Sequence, residues 1–236
     1  MDITTLAGQD LLIVGGGSGI ARALAADAVA EGASVTLAGR DPQRLAPGAA
    51  QVGAATARID LTDEGSIAAF AATSGPLDHV VSLAAAPANG PVGELDRDAV
   101  HTAFDAKVVG PLLLAKHLAP LVRGSFLLFS GVAAWRPAPG RSVMATTNGA
   151  VAFLAQALAV ELAPVRVNAL SPGIVDSGQW DRLGDGKDAF LAATAAANPA
   201  RRTGTPAQLS AAARSLLTNP FVTGTTLHVD GGGRLA

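Results

Sequence analysis

The sequence predicts an α/β fold in which helices cover both faces of a doubly wound parallel sheet. Short, nearly continuous apolar runs alternate with longer Ala-rich segments of helical periodicity along the 236 residues. Strands without polar–apolar alternation are typical of parallel sheets that are buried on both faces. Neither a linker nor an internal repeat interrupts this alternation, so we expect a single domain over residues 1–236.

The apolar runs predict six strands, at residues 11–14, 34–39, 78–86, 125–130, 165–173 and 226–231. Between the first two strands, Ile20, Leu24 and Val29 belong to the apolar stripe of a helix that ends at Gly32. Residues 176–188 are rich in glycine and aspartate. We interpret them as a mobile loop and not as a domain boundary, because a strand pattern resumes after them.

Composition narrows the possible functions. The 17 Lys and Arg residues are balanced by 19 Asp and Glu residues, so we expect neither a nucleic-acid nor a membrane partner. The absence of cysteine excludes disulfides, cysteine-ligated zinc and a cysteine nucleophile. The four histidines lack metal-ligand spacing, so each is assigned a structural role and no metal site is expected. A basic signal-peptide start and a bilayer-length apolar run are both missing, so a cytoplasmic protein is expected.

A glycine-rich turn connects the first strand to the first helix. Its sequence, at residues 14–21, is VGGGSGIA. Glycines in such a turn let the backbone approach a pyrophosphate, which the free N–H groups of the following helix stabilise. A purely structural turn is the alternative, but the position between strand and helix favours a Rossmann-type dinucleotide site. The predicted cofactor contacts in this turn are Gly15, Gly17, Ser18, Gly19 and Ile20.

The end of the second strand indicates which dinucleotide binds. It reads LAGR, and Arg40 lies 21 residues after Gly19. An acidic residue here would favour the free ribose 2′-hydroxyl of NAD, whereas a guanidinium suits the 2′-phosphate of NADP. The alternative is a solvated arginine at the start of a loop. We therefore expect NADP(H), and not NAD(H), as the cofactor.

Together with later motifs, these residues resemble the short-chain dehydrogenase/reductase family nearly from end to end. Residues 14–21 resemble the family's TGxxxGIG loop, with Ala21 in place of the last glycine. Residues 161–173, ELAPVRVNALSPG, and residues 221–232, FVTGTTLHVDGG, are close to the family pattern. The resemblance implies a nicotinamide cofactor and a small-molecule substrate. The further cofactor contacts that it implies are Asp60 and Leu61 at the adenine, Ala84 in the family's N-N-A-G segment, and Pro172, Gly173, Val175 and Ser177 around the nicotinamide.

The catalytic residues depart from the family. Its Asn-Ser-Tyr-Lys tetrad reads here as Lys107, Ser130, Met144 and Asn148. The chain contains no tyrosine, so no shift of register restores the tetrad, and Met144 cannot donate a proton. Asn148, at the family's lysine position, is assigned to the cofactor.

Carbonyl reduction needs a proton donor, and Lys107 is the candidate that the sequence offers. We predict that Ser130 orients the substrate and that Lys107 supplies or relays the proton. Lys107 falls at the edge of the apolar stripe of its helix, which is formed by Val100, Phe104, Val108 and Pro111. Partial burial there would lower the pKa of its ammonium group. The alternative is a lysine that snorkels, or that only holds the ribose or structural waters.

We therefore predict an NADP(H)-dependent oxidoreductase that reduces a carbonyl or a conjugated double bond. Two alternatives stay open, an NADP(H)-binding sensor or scaffold without turnover and an isomerase or dehydratase on the same fold. Residues 176–204 occupy the region of the family's substrate lid. Trp135, Arg136 and Arg141 are predicted to flank the substrate cleft, where they would suit an aromatic or anionic substrate.

Copies of the same chain are the expected partners. Family members usually pair through two helices, which correspond here to residues 99–122 and 143–162. The second helix is rich in small residues such as Ala152 and Ala155, which would permit close helix approach. A homodimer and a homotetramer both agree with this pattern.

Overall fold

Seven parallel strands form the sheet of this protein, whose computed structural model describes residues 5–17 and 19–236. The strands are β1 (Asp10–Val14), β2 (Ser34–Gly39), β3 (Ala55–Arg58), β4 (Leu77–Ser82), β5 (Val122–Phe129), β6 (Arg166–Pro172) and β7 (Thr226–Val229). Their order across the sheet is β3-β2-β1-β4-β5-β6-β7. The predicted doubly wound α/β fold is confirmed, and the predicted cofactor contact Ser18 lies outside the described residues.

Helices cover both faces of this sheet. In the described part of the chain they are α1 (Gly19–Ala30), α2 (Pro42–Val52), α3 (Glu64–Thr73), α4 (Arg97–Phe104), α5 (Gly110–Leu118), α6 (Ser142–Glu161), α7 (Lys187–Ala197) and α8 (Pro206–Thr218). Side chains of β1 alternate between two cores. Leu11 and Ile13 pack with apolar residues of α1 and α8, whereas Leu12 and Val14 pack with those of α5 and α6. Burial on both faces explains the nearly continuous apolar strands.

The apolar runs did not reveal β3. Three of its residues, Ala55, Thr56 and Arg58, are exposed, because the strand lies at the margin of the sheet. Only the motif at Asp60 implied a strand before it. The run at 34–39 coincides with β2, whereas the run at 78–86 continues four residues past the end of β4, where the chain turns to line a cleft.

The strand order changes direction at β1, which lies between β2 and β4. Val14, the last residue of β1, is paired with Ala38 of β2 and with Ser82 of β4. The segments that follow these three strands therefore leave the sheet side by side. Such a switch point, at the carboxyl ends of parallel strands, is where open α/β sheets bind ligands.

The helix predicted over residues 99–122 is divided by a π-helical turn. α4 ends at Phe104, residues Asp105–Val109 form the π turn, and α5 follows. The N–H of Gly110 donates to the carbonyl of Asp105, five residues earlier. A π turn inserts one residue into the helical repeat, so it changes which side chains face the sheet.

The predicted stripe of this helix was only partly right, because Pro111 is buried as predicted but the other three members are not fully buried. Val100, Phe104 and Val108 are only partly buried, whereas Ala103 and Lys107 are buried. Lys107 thus lies on the buried face and not at its edge. Periodicity of 3.6 residues placed it at the edge because it assumes an uninterrupted α-helix.

The segment predicted as a mobile loop contains regular structure. Asp181–Gly186 form 3₁₀ turns, and α7 begins at Lys187. Val175 and Gly204 form an isolated parallel bridge, and the N–H of Asp176 donates to the carbonyl of Gly204 at 3.1 Å. These bonds hold the two ends of the segment 176–204 together beside the end of β6.

α6 nearly coincides with the helix predicted over residues 143–162. It is long and apolar enough to cross a membrane by length and composition alone. However, Val151 and Leu158 are buried in the core that α6 shares with the sheet, so we interpret it as a core helix. Of the five small residues expected to permit close helix approach, Ala152 and Ala155 are buried within the protomer, whereas Ala145, Gly149 and Ala150 are partly exposed.

His79 of β4 is a buried histidine with two hydrogen-bond partners. Its Nδ1 lies 2.8 Å from Ser125 Oγ and its Nε2 lies 2.7 Å from Gln9 Oε1. The side-chain amide nitrogen of Gln9 donates to the carbonyl of Thr5, so Gln9 Oε1 is an acceptor and the neutral ring donates from Nε2. Burial, assisted by the positive charge of Arg166, lowers the pKa of His79 to about 4.

We expect His79 to make folding pH-dependent. Because its pKa is lower in the folded than in the unfolded chain, its contribution is complete above about pH 6.5 and is lost as the pH falls toward about 4. The expected loss in the free energy of unfolding is about 3 kcal/mol. Urea titrations across this range should show a flatter pH profile for His79→Gln. The exposed His101→Gln should keep the original profile, and an unchanged profile in His79→Gln would contradict the assignment.

Candidate active site

The glycine turn after β1 lies against neighbouring backbone. Gly15 has φ +111°, and a Cβ there would lie 2.3 Å from the backbone nitrogen of Ala84. Gly19 has φ +54°, and a Cβ there would lie 2.7 Å from the carbonyl oxygen of Ser177. A side chain at Gly16, in contrast, would meet nothing within 4 Å. The turn therefore requires glycine for its conformation and its packing, and it leaves open space above it.

A cleft of about 640 Å³ opens beside this turn, at the carboxyl ends of β1, β2 and β4. It brings together five of the predicted cofactor residues, which are Gly15, Arg40, Asp60, Leu61 and Ala84. The carboxylate of Asp60 accepts hydrogen bonds from the N–H and the hydroxyl of Thr62. These bonds hold the turn after β3 in place at the wall of the cleft.

Four other predicted contacts, Pro172, Gly173, Val175 and Ser177, form a second group farther along the sheet edge. Pro172 is the last residue of β6, and the bridge of Val175 to Gly204 follows it. They do not line the first cleft. The contact between Ser177 and Gly19 joins this group to the glycine turn.

Arg40 is exposed at the rim of the cleft and has no ion-pair partner among residues 5–17 and 19–236. Four residues later, Arg44 also lines the cleft and forms an exposed ion pair with Asp41 at 3.4 Å. Sequence reasoning missed Arg44. Asp41 caps the N-terminus of α2, and Arg44 lies three residues later, in the first turn of this helix. A helix start predicted at Asp41 would therefore have placed Arg44 near the end of β2.

Ser130, which directly follows β5, is in contact with Asn148 of α6. Ser130 is buried, and its hydroxyl donates to the backbone carbonyl of Asn148 at 2.7 Å. The side-chain oxygen Oδ1 of Asn148 is buried and has no hydrogen-bond partner in the described part of the chain. Buried polar atoms are nearly always paired, so an unpaired one beside Ser130 indicates a place for a ligand or water donor.

Lys107 contacts the end of β5. Its side chain is 7% exposed, and its Nζ donates to the carbonyl of Phe129, the residue before Ser130, at 2.6 Å. No second acceptor contacts Nζ within the described ranges. Burial lowers the pKa of Lys107 to about 8. The ammonium form thus persists at neutral pH but releases its proton far more readily than an exposed lysine.

The residues present fit a dinucleotide. The glycine turn precedes the N-terminus of α1, and the cleft extends to Arg40 at the end of β2. Within the described residues, Arg40 has no ion-pair partner and the buried Asn148 Oδ1 has no hydrogen-bond partner. Backbone donors at the start of a helix suit a diphosphate, and a guanidinium suits a further phosphate. No cluster of His, Asp or Glu side chains in the described chain is suited to a metal ion.

Two residues predicted to flank the substrate cleft, Trp135 and Arg136, contact β6, β7 and the residues after β7. The indole N–H of Trp135 donates to Ser171 Oγ at 3.1 Å, and the ring meets His228 edge-on with centroids 4.7 Å apart. Arg136 donates to the carbonyl of Gly233. Local sequence placed both residues near Ser130, but their directions depend on the packing of the C-terminal tail.

Comparison with known proteins agrees with this architecture. The family model described as enoyl-(acyl carrier protein) reductase matches residues 15–233. The short-chain dehydrogenase/reductase ATR9 of Stachybotrys chlorohalonatus is 30% identical over 251 residues, covering 98% of this chain and 99% of that protein. The inactive 2-(S)-hydroxypropyl-CoM dehydrogenase 2 of Xanthobacter autotrophicus is 34% identical over 226 residues, covering 89% and 98%.

A solved structure of a small-chain dehydrogenase in complex with NADPH has a TM-score of 0.84 and 29% identity, covering 97% of this chain and 99% of that one. The resemblance drawn from the motifs is thereby confirmed. The chain belongs to the short-chain dehydrogenase/reductase family of nicotinamide-dependent oxidoreductases.

Proposed function

We propose that this protein is an NADP(H)-dependent oxidoreductase that reduces a carbonyl or a conjugated double bond of a small molecule. The observation that carries the cofactor choice is Arg40, which lines the cleft at the end of β2 without an ion-pair partner in the described chain. A guanidinium in that position suits the 2′-phosphate that distinguishes NADP from NAD. The relative solved with NADPH supports the same choice.

The cofactor is held, in this proposal, by two groups of residues. Gly15, Gly17, Ser18, Gly19 and Ile20 contact the diphosphate, and Asp60, Leu61 and Ala84 line the adenosine half. Asn148, Pro172, Gly173, Val175 and Ser177 surround the nicotinamide half. When bound, the reduced cofactor supplies a hydride to the substrate. The chain must then supply the proton and hold the substrate.

Lys107 is the proposed proton source. Its ammonium group has a pKa of about 8, and a group with a pKa near the working pH is an effective general acid. Its one acceptor, the carbonyl of Phe129, belongs to the peptide that leads into Ser130. Ser130 orients the substrate by donating a hydrogen bond to its oxygen. To do so, its hydroxyl must give up the hydrogen bond to the backbone carbonyl of Asn148. Both groups therefore act at the end of β5.

The segment 176–204 is the proposed substrate lid of a single domain. Lys187 binds Asp176 at 2.9 Å and Asp181 at 2.7 Å, so it joins the start of α7 to the preceding turns. The indole of Trp180 packs on Phe190 and donates to the carbonyl of Val175. These contacts give the lid internal order, and its hinge ends lie beside β6.

Titration of the purified protein with NADPH and with NADH, followed by cofactor fluorescence, is the first test. We expect saturable binding with a clear preference for NADPH. A screen of aldehydes, ketones and enones with bound NADPH should then show oxidation of the cofactor by at least one class. Absence of binding by either nucleotide would overturn the proposal.

A non-catalytic NADP(H) sensor is the second candidate. Met144 lies at the position where family members carry the tyrosine. The hydroxyl of Ser130 already donates its proton to the backbone carbonyl of Asn148 in α6. The similarity to a dehydrogenase named as inactive agrees with this candidate. Tight NADPH binding, together with no turnover across the whole substrate screen, would favour the sensor.

Self-association through α5 and α6 is also part of the proposal. Phe153 and Val160 are 73% and 81% exposed on one side of α6, and Leu112 of α5 is 43% exposed. Helices that carry such apolar side chains usually cover them with a partner. We expect light scattering to show an oligomer, and Phe153→Asp to raise its dissociation constant by about 30-fold or more. Val92→Asp, at an equally exposed loop position, is the control, and a monomeric wild type would contradict the expectation.

A further inference from the structure

The middle of α2 contains two residues that a helix interior normally excludes. They are Pro47 and Gly48, and the helix continues past them to Val52. Proline lacks the N–H that would donate to the carbonyl of Gln43, and glycine is the weakest helix former after proline. Residues that break a local rule in this way are expected where a contact elsewhere in the fold requires them.

Gly48 lies directly against the glycine turn after β1. A Cβ on Gly48 would lie 2.5 Å from the carbonyl oxygen of Gly17 and 3.5 Å from its carbonyl carbon. Backbone atoms cannot turn aside as the end of a flexible side chain can, so a larger residue at position 48 must displace α2 or the turn. The close approach of α2 to the turn therefore requires glycine at this position.

The preceding turn of α2 packs on the same region. A Cβ on Gly17 would lie 3.4 Å from the side chain of Leu45, and a Cβ on Gly39, the last residue of β2, would lie 3.2 Å from it. Leu45 is buried at the wall of the 640 Å³ cleft, which is the nucleotide cleft of the proposed function. Leu45 and Gly48 are three residues apart and share one face of the helix. This face therefore contacts the glycine turn and the end of β2 together.

The beginning of α2 belongs to the other end of the nucleotide cleft. Arg40 and Arg44 both line the cleft there, on either side of the N-cap residue Asp41. Arg44 lies four residues before Gly48, so it is a neighbour of Gly48 on the surface of the helix. One helix thus connects the arginines proposed for the 2′-phosphate with the turn proposed for the diphosphate.

We propose that Gly48 is a positioning residue for nucleotide binding, because it lets α2 fix the glycine turn relative to the arginine end of the cleft. Gly48 does not line the cleft, so it acts through the backbone of Gly17 and not by contact with the nucleotide. A methyl group at position 48 would displace the turn, together with the backbone donors that suit a diphosphate. The inference rests on the proposed function, since it requires a dinucleotide in the cleft.

The test compares Gly48→Ala with the wild type for three ligands by isothermal titration calorimetry. NADPH and NADH contain the diphosphate, whereas adenosine 2′-monophosphate contains only the adenosine and the 2′-phosphate. We expect Gly48→Ala to weaken NADPH and NADH by about tenfold or more, the size of effect that a small displacement of a binding group produces. The affinity for adenosine 2′-monophosphate should remain unchanged. Arg40→Ala should give the reverse pattern, with weaker NADPH and adenosine 2′-monophosphate and unchanged NADH.

Gly75→Ala is the matched control. Gly75 is exposed, and a Cβ there would meet nothing within 4 Å, so this variant should bind all three ligands as the wild type does. Circular dichroism establishes whether each variant is folded. A folded Gly48→Ala that keeps its affinity for NADPH and NADH would overturn the proposal. An equal loss for all three ligands, or a variant that does not fold, would also overturn it, because Gly48 would then serve only the packing of the fold.

Failure of the proposed function would give a different result. In that case the wild type itself would bind neither NADPH nor NADH, and both proposals would be overturned together. Binding of both nucleotides by the wild type, with the same affinities in Gly48→Ala, would overturn the role of Gly48 alone. The wild-type titrations therefore separate the two failures.

Discussion

Replacement of Lys107 by methionine is expected to lower the turnover number for carbonyl reduction by about 10²–10⁴-fold, the range for loss of a general acid. Methionine is similar in length and apolar, so the buried face of the helix stays filled while Nζ and its bond to Phe129 are removed. NADPH affinity should change little, because Lys107 does not line the nucleotide cleft. Steady-state kinetics and NADPH titration measure the two effects separately.

Lys116→Met is the matched control for this experiment. Lys116 is an exposed lysine of α5 that binds Glu64, so its loss removes the same charge away from the site. It should leave turnover unchanged. Full turnover in Lys107→Met would contradict the proton-donor role and would favour the alternative, in which Lys107 only holds the ribose or waters.

The pH profile provides an independent measure of the same role. Because burial lowers the pKa of Lys107 to about 8, the ammonium form that donates the proton disappears as the pH rises above that value. The turnover number for reduction should therefore decrease about tenfold per pH unit above about pH 8. Lys107→Met should lack this decrease. A wild-type profile that stays flat to about pH 10 would exclude Lys107 as the acid.

Replacement of Arg40 by alanine is expected to weaken NADPH binding by about 10–100-fold, the usual effect of losing hydrogen bonds to a charged group. NADH binding should remain nearly the same, because NADH lacks the 2′-phosphate. Titration of both nucleotides by fluorescence measures the difference. Arg44→Ala should have a smaller effect than Arg40→Ala, since Arg44 already binds Asp41.

The exposed Arg97→Ala tests whether general loss of positive charge explains the effect. It should leave both affinities unchanged. Equal weakening of NADPH and NADH by Arg40→Ala would contradict the specific role at the 2′-phosphate. It would then identify Arg40 as a general contact of the nucleotide cleft.

Several parts of the fold and site were readable in the sequence because they depend on local chemistry. Parallel strands buried on both faces are mostly apolar, and the run around the buried Val35, Leu37 and Ala38 located β2 to the residue. The turn after β1 needs glycine, since a Cβ at Gly15 would overlap the backbone of Ala84. The family followed from such motifs.

Other features depended on contacts between distant parts of the chain. β3 escaped detection because a strand at the edge of the sheet can expose its side chains. The contacts of Trp135 with Ser171 and His228, and of Arg136 with Gly233, also join residues that are far apart in sequence. No local pattern contains this information.

The sequence by itself determined the class of fold, the family, the glycine turn and the loss of the tyrosine. Only the tertiary structure decided how deeply Lys107 is buried and what surrounds His228. The π turn places Lys107 on the buried face of its helix, and Trp135 packs against His228, whose Nδ1 has no hydrogen-bond partner within the described residues. Burial and the pairing of polar atoms are properties of the packed chain, because each depends on segments that are far apart in sequence.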